Sequence, residues 1–355
     1  MEPANKKENK IVLDRMRFFV EVVIIFFGIF LFMLIPRVFL PFFIDENSIF
    51  YGPLYYILRA VAIFIAIPAF LFLSNKILET QKKNVIIEED ITPSMEHLKL
   101  YSINKDSFKD QLLIGILLLF IIFIPLDFLI YLLFPGMLEY SGVSLTSHAT
   151  DSYLLKSYTV FIISVIIIQI CVSIYEESLT RGFLTKRGSD YFHKISAVLI
   201  SSLYFGLMHF AYYFNPISKN YPIWYPFIWF LQTFFVAILL AIVVLRKKKL
   251  FPVIFAHAIN NIISAHAIWS YLQGNEFIVI TVYLYIPLLI ISVVLFIWQF
   301  PRIKESVSNG FKDFKTYFKI DNTIGESKGE LYFRILFDFL IAILILAIGL
   351  FIFGI

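Results

Sequence analysis

Phe161-Ile-Ile-Ser-Val-Ile-Ile-Ile-Gln-Ile-Cys-Val-Ser-Ile-Tyr-Glu176-Glu177-Ser-Leu-Thr-Arg181 decides how this chain is read. The apolar run before the acids approaches the ~20 residues that cross a bilayer as helix. It ends on two adjacent carboxylates and an arginine, although a charge at a helix centre costs ~2.5–3.5 kcal/mol on insertion scales. Working outward, further apolar stretches fall at 18–36, 54–75, 112–134, 195–213, 223–245, 250–272, 277–299 and 332–354. With 157–175 they make nine candidate helices, so the expected fold is all-α, a polytopic transmembrane helical bundle. The helix of the acid pair is expected to continue toward Arg187 and to be broken by Gly188-Ser-Asp190.

Composition agrees. Hydrophobic residues form 59% of 355 positions and mean hydropathy is +0.82, far above a soluble domain. The 41 phenylalanines make the spans bulky. The lone cysteine, Cys171, excludes an intramolecular disulfide framework. The polar, basic first 17 residues do not resemble a cleavable signal, and Phe353-Gly-Ile355 offers no cysteine for prenylation. No internal repeat, phosphate loop or nucleic-acid signature is present, so the expected surroundings are a lipid bilayer and no nucleic acid.

Charge placement sets the expected topology. With the N-terminus in the cytoplasm, the segments at 76–111, 176–194, 246–249 and 301–334 are also inside. All Lys and Arg except Arg37, Arg59, Lys156 and Lys219 then lie on that side, as the positive-inside rule requires. Three segments follow: 1–111 with two helices and a cytoplasmic loop, 112–300 as the core, and 301–355 with a polar stretch that could detach the last helix. The aromatic cluster Tyr212, Tyr213, Phe214, Tyr221, Trp224, Tyr225 and Trp229 is expected to form an interfacial belt at the outer end.

Three helices carry chemistry. Glu177 and Arg181 are i,i+4 and can pair, and Glu176 is rotated from Glu177 by ~100° into another sector. That leaves Glu176 as the free acid, able to take a proton from water. On a second helix Phe205 and His209 share a face. On a third, His257 and Asn261 do, and imidazole with carboxamide supplies the two donors an oxyanion hole needs. At ~1.5 Å per residue, counted from the nearest basic anchor, His257 lies ~12 Å deep, Glu176 ~16 Å and His209 ~22 Å, a mismatch that tilt must absorb. Glu21, Arg59, Asp127 and Gln232 are expected to be interior or interfacial contacts, and His266 structural.

In these residues the chain resembles the CAAX prenyl protease and bacteriocin-processing family (Abi, CPBP) of intramembrane glutamic endopeptidases. The family's Glu-Glu-x-x-x-Arg, Phe-x-x-x-His and His-x-x-x-Asn stand here as Glu176-Glu177…Arg181, Phe205…His209 and His257…Asn261, over roughly 110–275. The resemblance implies an eight-helix core, with about nine helices in all. It implies hydrolysis of a peptide bond in a membrane-associated or lipidated peptide or protein, without cofactor or metal. Glu176, assisted by His209, would activate a water, His257 and Asn261 would hold the oxyanion, and Glu177, Arg181 and Phe205 would support the site. A zinc metalloprotease is the rival enzyme, although His-Glu-x-x-His is absent from the sequence. A non-proteolytic scaffold or immunity protein is the rival outside enzymes, and a transporter would need repeated halves. The Lys/Ile/Phe bias suggests a bacterial cell membrane.

Overall fold

The computed structural model describes residues 4–78, 92–146, 149–210, 221–320 and 326–353, with the side chains of 4–10 and 353 left out. The architecture is all-α. Among the described residues, eight helices are long and apolar enough to cross a membrane, and a shorter apolar helix, Lys194–Met208, accompanies them. This is a multi-pass integral membrane bundle.

In chain order, α1 (Ala4–Leu34) continues through a wide turn at Ile35–Phe39 to Phe43, and α2 is Tyr51–Leu78. A short α3 (Pro93–Lys99) precedes α4 (Lys105–Leu133). After α5 (Gly136–Thr146) and a 3₁₀ turn at Ala149–Leu155 come α6 (Tyr158–Tyr191) and α7 (Lys194–Met208). The remainder is α8 (Trp224–Lys247), α9 (Phe251–Leu272), α10 (Phe277–Tyr317) and α11 (Lys328–Phe353). In lipid each backbone polar group must be satisfied within the chain, so helices and their caps do this work. Asn104 caps α4 by accepting from the Ser107 amide at 3.1 Å, and Lys248 closes α8 in the left-handed region with φ 53°.

Helix α6 is central, packing against both α2 and α9, while α9 also packs on α4. Gly52 allows a close approach here. A Cβ at Gly52 would sit 2.3 Å from the Thr150 carbonyl oxygen, so only glycine lets the 3₁₀ turn lie against α2.

Among the described residues, four wide, π-helical turns interrupt the helices, at Ile35–Phe39, Leu119–Phe123, Ser178–Thr185 and Thr281–Tyr285. Three have a proline in or just after them, Pro36, Pro125 and Pro287, whose missing N–H loosens the ladder. The longest, Ser178–Thr185, has none. There Ser178 Oγ donates to the Ile174 carbonyl and Thr180 Oγ1 to the Glu176 carbonyl at 2.5 Å, competing with backbone amides. A π-bulge of this kind commonly marks a functional site.

The basic segments expected to share one side are joined to one another. Arg15 pairs with Asp338, Arg187 with Glu21 at 2.9 Å, Lys186 with Glu96 at 3.7 Å, Arg246 with Asp313 at 2.7 Å and Lys247 with Asp110 at 3.4 Å.

Three features differ from expectation. Gly188 does not break α6, which runs to Tyr191; the missing side chain lets Ala197, Phe18 and Phe192 pack against it. The last helix is not detached. It packs on α1 and α7, and Asp338 receives both Arg15 and, at 2.8 Å, the Tyr317 hydroxyl. Tyr212, Tyr213 and Phe214 lie outside the described residues, but Tyr221 and Tyr225 are buried rather than facing lipid, and Trp229 turns inward.

Candidate active site

A cavity of about 280 Å³ lies inside the bundle, between α2, α4, α6, α7, α8 and α9. Glu176, Arg181, Phe205, His209, His257 and Asn261 line it together. His209, the C-cap of α7, reaches the same cavity as Glu176 and His257 although the residue count sets it deepest.

The adjacent acids occupy unlike environments. Glu177 is sealed, with 0% of its side chain exposed, whereas Glu176 keeps 30% open, and that open surface faces the cavity. Glu177 Oε1 accepts from His257 Nδ1 at 2.7 Å and pairs with Arg181 Nη1 at 3.2 Å. Arg181 lies 4.3 Å above the Phe205 ring and donates to Thr180 Oγ1 at 2.6 Å. The spacing of 177 and 181 anticipated the i,i+4 pair. It gave no sign of His257 as a second partner, since that contact joins helices 80 residues apart.

With Nδ1 committed to Glu177, His257 directs Nε2 toward Glu176 Oε2, 3.6 Å away. The ring is further held by stacking on Phe123, 6.1 Å between centroids, and by the edge of Phe205 at 6.4 Å. A histidine fixed through one nitrogen presents the other in a defined direction. His209 is fixed similarly: Nδ1 donates to the Phe205 carbonyl at 2.9 Å, which leaves Nε2 as the acceptor. Trp229 and Phe205 bracket its ring at 5.3 and 5.1 Å.

Asn261 lines the cavity half-buried, while its neighbour Asn260 is buried with Oδ1 unpartnered. Asn260 belongs to a second polar wall. There Asp127 accepts from Gln232 Nε2 at 2.6 Å, from Ser264 Oγ and from Asn260. Asp127 and Gln232 are thus interior contacts, as expected, but they also form cavity wall. The signal was present: His257, Asn260, Asn261 and Ser264 follow a helical repeat of three and four. Glu21 is an interior contact bound to Arg187 and Tyr191. His266 packs among Tyr158, Phe161 and Trp269, away from the cavity. Among the described residues, no group of three or more His, Cys, Asp or Glu is arranged to hold a metal ion.

Outside the membrane-spanning segments, α3 closes over the π-helical part of α6. His97 is buried against Gly182, Tyr101 donates to Ser178 Oγ, and the Leu250 amide donates to the Leu100 carbonyl at 2.8 Å. Burial pushes the His97 imidazole down to about 4. Its neutral form is the one that fits. The stabilisation is therefore complete above the unfolded value near 6.5 and is lost as pH falls from there through about 4. Thermal unfolding of the wild type is expected to show this acid-side loss, on the order of 3 kcal/mol in full. His97→Phe should flatten it; an unchanged slope would count against the burial cause.

Residues 158–263 match the family model "Rce1-like: Type II CAAX prenyl endopeptidase Rce1-like". No curated protein and no solved structure matches the chain. The matched segment begins with α6 and ends just after Asn261, so it holds both glutamates, Arg181, Phe205 and the two histidines of the cavity. Over that segment the chain is similar to the type II CAAX prenyl endopeptidases that the family model describes.

Proposed function

We propose that the protein is an intramembrane endopeptidase that hydrolyses a peptide bond in a membrane-associated or lipidated peptide or protein, using a water activated by Glu176. One observation carries this most: a carboxylate open to an intramembrane cavity shares that cavity with two histidines, each held through Nδ1.

Glu176 takes the proton of the attacking water, and His209 Nε2, a lone-pair acceptor, orients that water and assists its deprotonation. As the carbonyl oxygen gains charge, His257 through Nε2 and the Asn261 amide are the groups that donate to it. Glu177 has two tasks. It neutralises Arg181 and it orients His257, as a carboxylate does for a histidine in hydrolytic triads. Glu176 then passes its proton to the leaving amine. Burial of Glu177, Arg181 and His257 among the helices lowers the local dielectric, which strengthens these interactions.

In this reading the membrane is that of a bacterial cell, with the N-terminus and the joined basic segments cytoplasmic and the cavity reached from that half of the bilayer. Membrane proteomes of wild-type and Glu176→Gln cells test the function: uncleaved precursors should accumulate only in the variant. Identical proteomes together with a retained phenotype would favour a scaffold. A zinc enzyme would instead show stoichiometric metal and lose activity to a chelator.

A further inference from the structure

Helix α10 does not end where its apolar part ends. It runs on through Pro301 to Tyr317, and the stretch 302–319 carries Arg302, Lys304, Lys312, Lys315 and Lys319 against Glu305 and Asp313. Two ties hold this extension to the bundle. Arg246, in the last turn of the spanning helix α8, donates to the Ser306 carbonyl at 3.3 Å and to Asp313 at 2.7 Å. At the far end the Tyr317 hydroxyl donates to Asp338 at 2.8 Å, and the Tyr317 carbonyl accepts from Arg334 at 2.9 Å, both on α11. The extension is thus fixed beside the ends of spanning helices instead of projecting freely into water.

Its outer face has a definite pattern. At ~100° per residue, Phe300, Val307, Phe311 and the C-cap Phe318 fall within one sector of about 40°. All four are exposed, Phe311 by 65%. Val293 and Phe296, exposed on the transmembrane part of the same helix, lie in or beside that sector. The lipid-facing stripe therefore continues past the end of the span. Lys304 and Lys315 flank it on one side with Lys312 beyond them, and all three are exposed. Ser306 and Asp313 lie on another side of the helix, turned toward Arg246.

Two observations select what covers this face. The stripe is continuous with surface that already meets lipid tails, and the lysines beside it call for anionic groups at the same level. Asp313 is spent on Arg246, so it does not neutralise them. Apolar rings on a helix enter the acyl boundary while lysine stems carry their ammonium groups up to the phosphates. A leaflet that contains anionic phospholipid offers both surfaces at once.

We propose that residues 300–318 form a binding surface for anionic phospholipid, which fastens α10, and through Arg246 the end of α8, to the headgroup layer. This goes beyond the endopeptidase reading and does not depend on it. The test is native mass spectrometry of the purified full chain in detergent, with phosphatidylglycerol or phosphatidylcholine added. The wild type should retain phosphatidylglycerol in preference. Lys304→Gln/Lys312→Gln/Lys315→Gln should lower that preference by about 10-fold or more, since each basic residue near a membrane surface is worth roughly 5-fold. The control is Lys76→Gln/Lys105→Gln/Lys109→Gln, which removes the same charge from exposed positions on α2 and α4 and should keep most of the preference.

Equal retention of the two lipids by the wild type overturns the proposal. So does a wild-type preference in the first triple variant, or an equal loss in the control, which would mark a general effect of net charge. The spectra also report oligomeric state. A dimer that is lost in the first variant while the lipid preference stays unchanged would assign the face to a second copy of the chain and likewise overturn the proposal.

Discussion

Glu176→Gln is expected to lower peptide cleavage by about 10³-fold, within the 10²–10⁴ range that a positioned general base supplies, with no loss of the fold. Glutamine keeps the shape of the side chain and cannot accept the proton. Two features separate this substitution from general damage. Glu176 faces the cavity with 30% of its side chain open, and the sealed ion pair of the site is formed by Glu177 instead. The nearest partner, His257 Nε2, is at 3.6 Å, beyond a hydrogen bond, and that ring stays anchored on Glu177. Cleavage of a prenylated reporter peptide and thermal unfolding in the same detergent check both halves. A variant with wild-type kcat would remove Glu176 from the chemistry, and an unfolded one would assign it to the fold.

Arg181→Met should have the largest effect on stability. Arg181 is 1% exposed, pairs with Glu177 at 3.2 Å and covers Phe205 at 4.3 Å. Methionine restores much of the volume but leaves the fully buried Glu177 with His257 alone. Removing one partner of a buried pair costs about 3–5 kcal/mol. The midpoint of thermal unfolding should fall steeply and cleavage should be lost with it. The double variant Glu177→Gln/Arg181→Met should recover part of the stability, because no uncompensated charge then remains buried. A single variant as stable as wild type would show that His257 suffices to hold Glu177.

The helices were legible from apolar run lengths, because lipid rewards continuous apolar surface directly. The Glu177–Arg181 pair was legible because an i,i+4 contact lies within one helix. Contacts between helices were not. The spacing of Glu176, Glu177 and His257 shows which face each occupies, but the partner across the bundle depends on helix rotation and tilt. Thus Glu177–His257 and Asp127–Ser264 emerged only in three dimensions.

Arg59 shows the same limit. One arginine among apolar residues suggests an interior contact, whereas its place on the cavity wall, 3.9 Å above the Tyr175 ring, is visible only once its neighbours are placed. Gly188 misled for a related reason: glycine loosens an isolated helix, but here close neighbours fill the space and α6 continues. Polar 301–331 suggested a loose tether, yet one buried aspartate, Asp338, binds α11 to Arg15 and Tyr317.

The most direct measurement is single-turnover cleavage of the prenylated reporter by the purified protein in H₂¹⁸O, followed by mass spectrometry of product and enzyme. Direct attack by an activated water predicts one ¹⁸O atom in the new peptide carboxyl, none in Glu176, and product formed about 10³-fold more slowly by Glu176→Gln. Label in the Glu176 carboxylate, or full product formation by the variant, would contradict it.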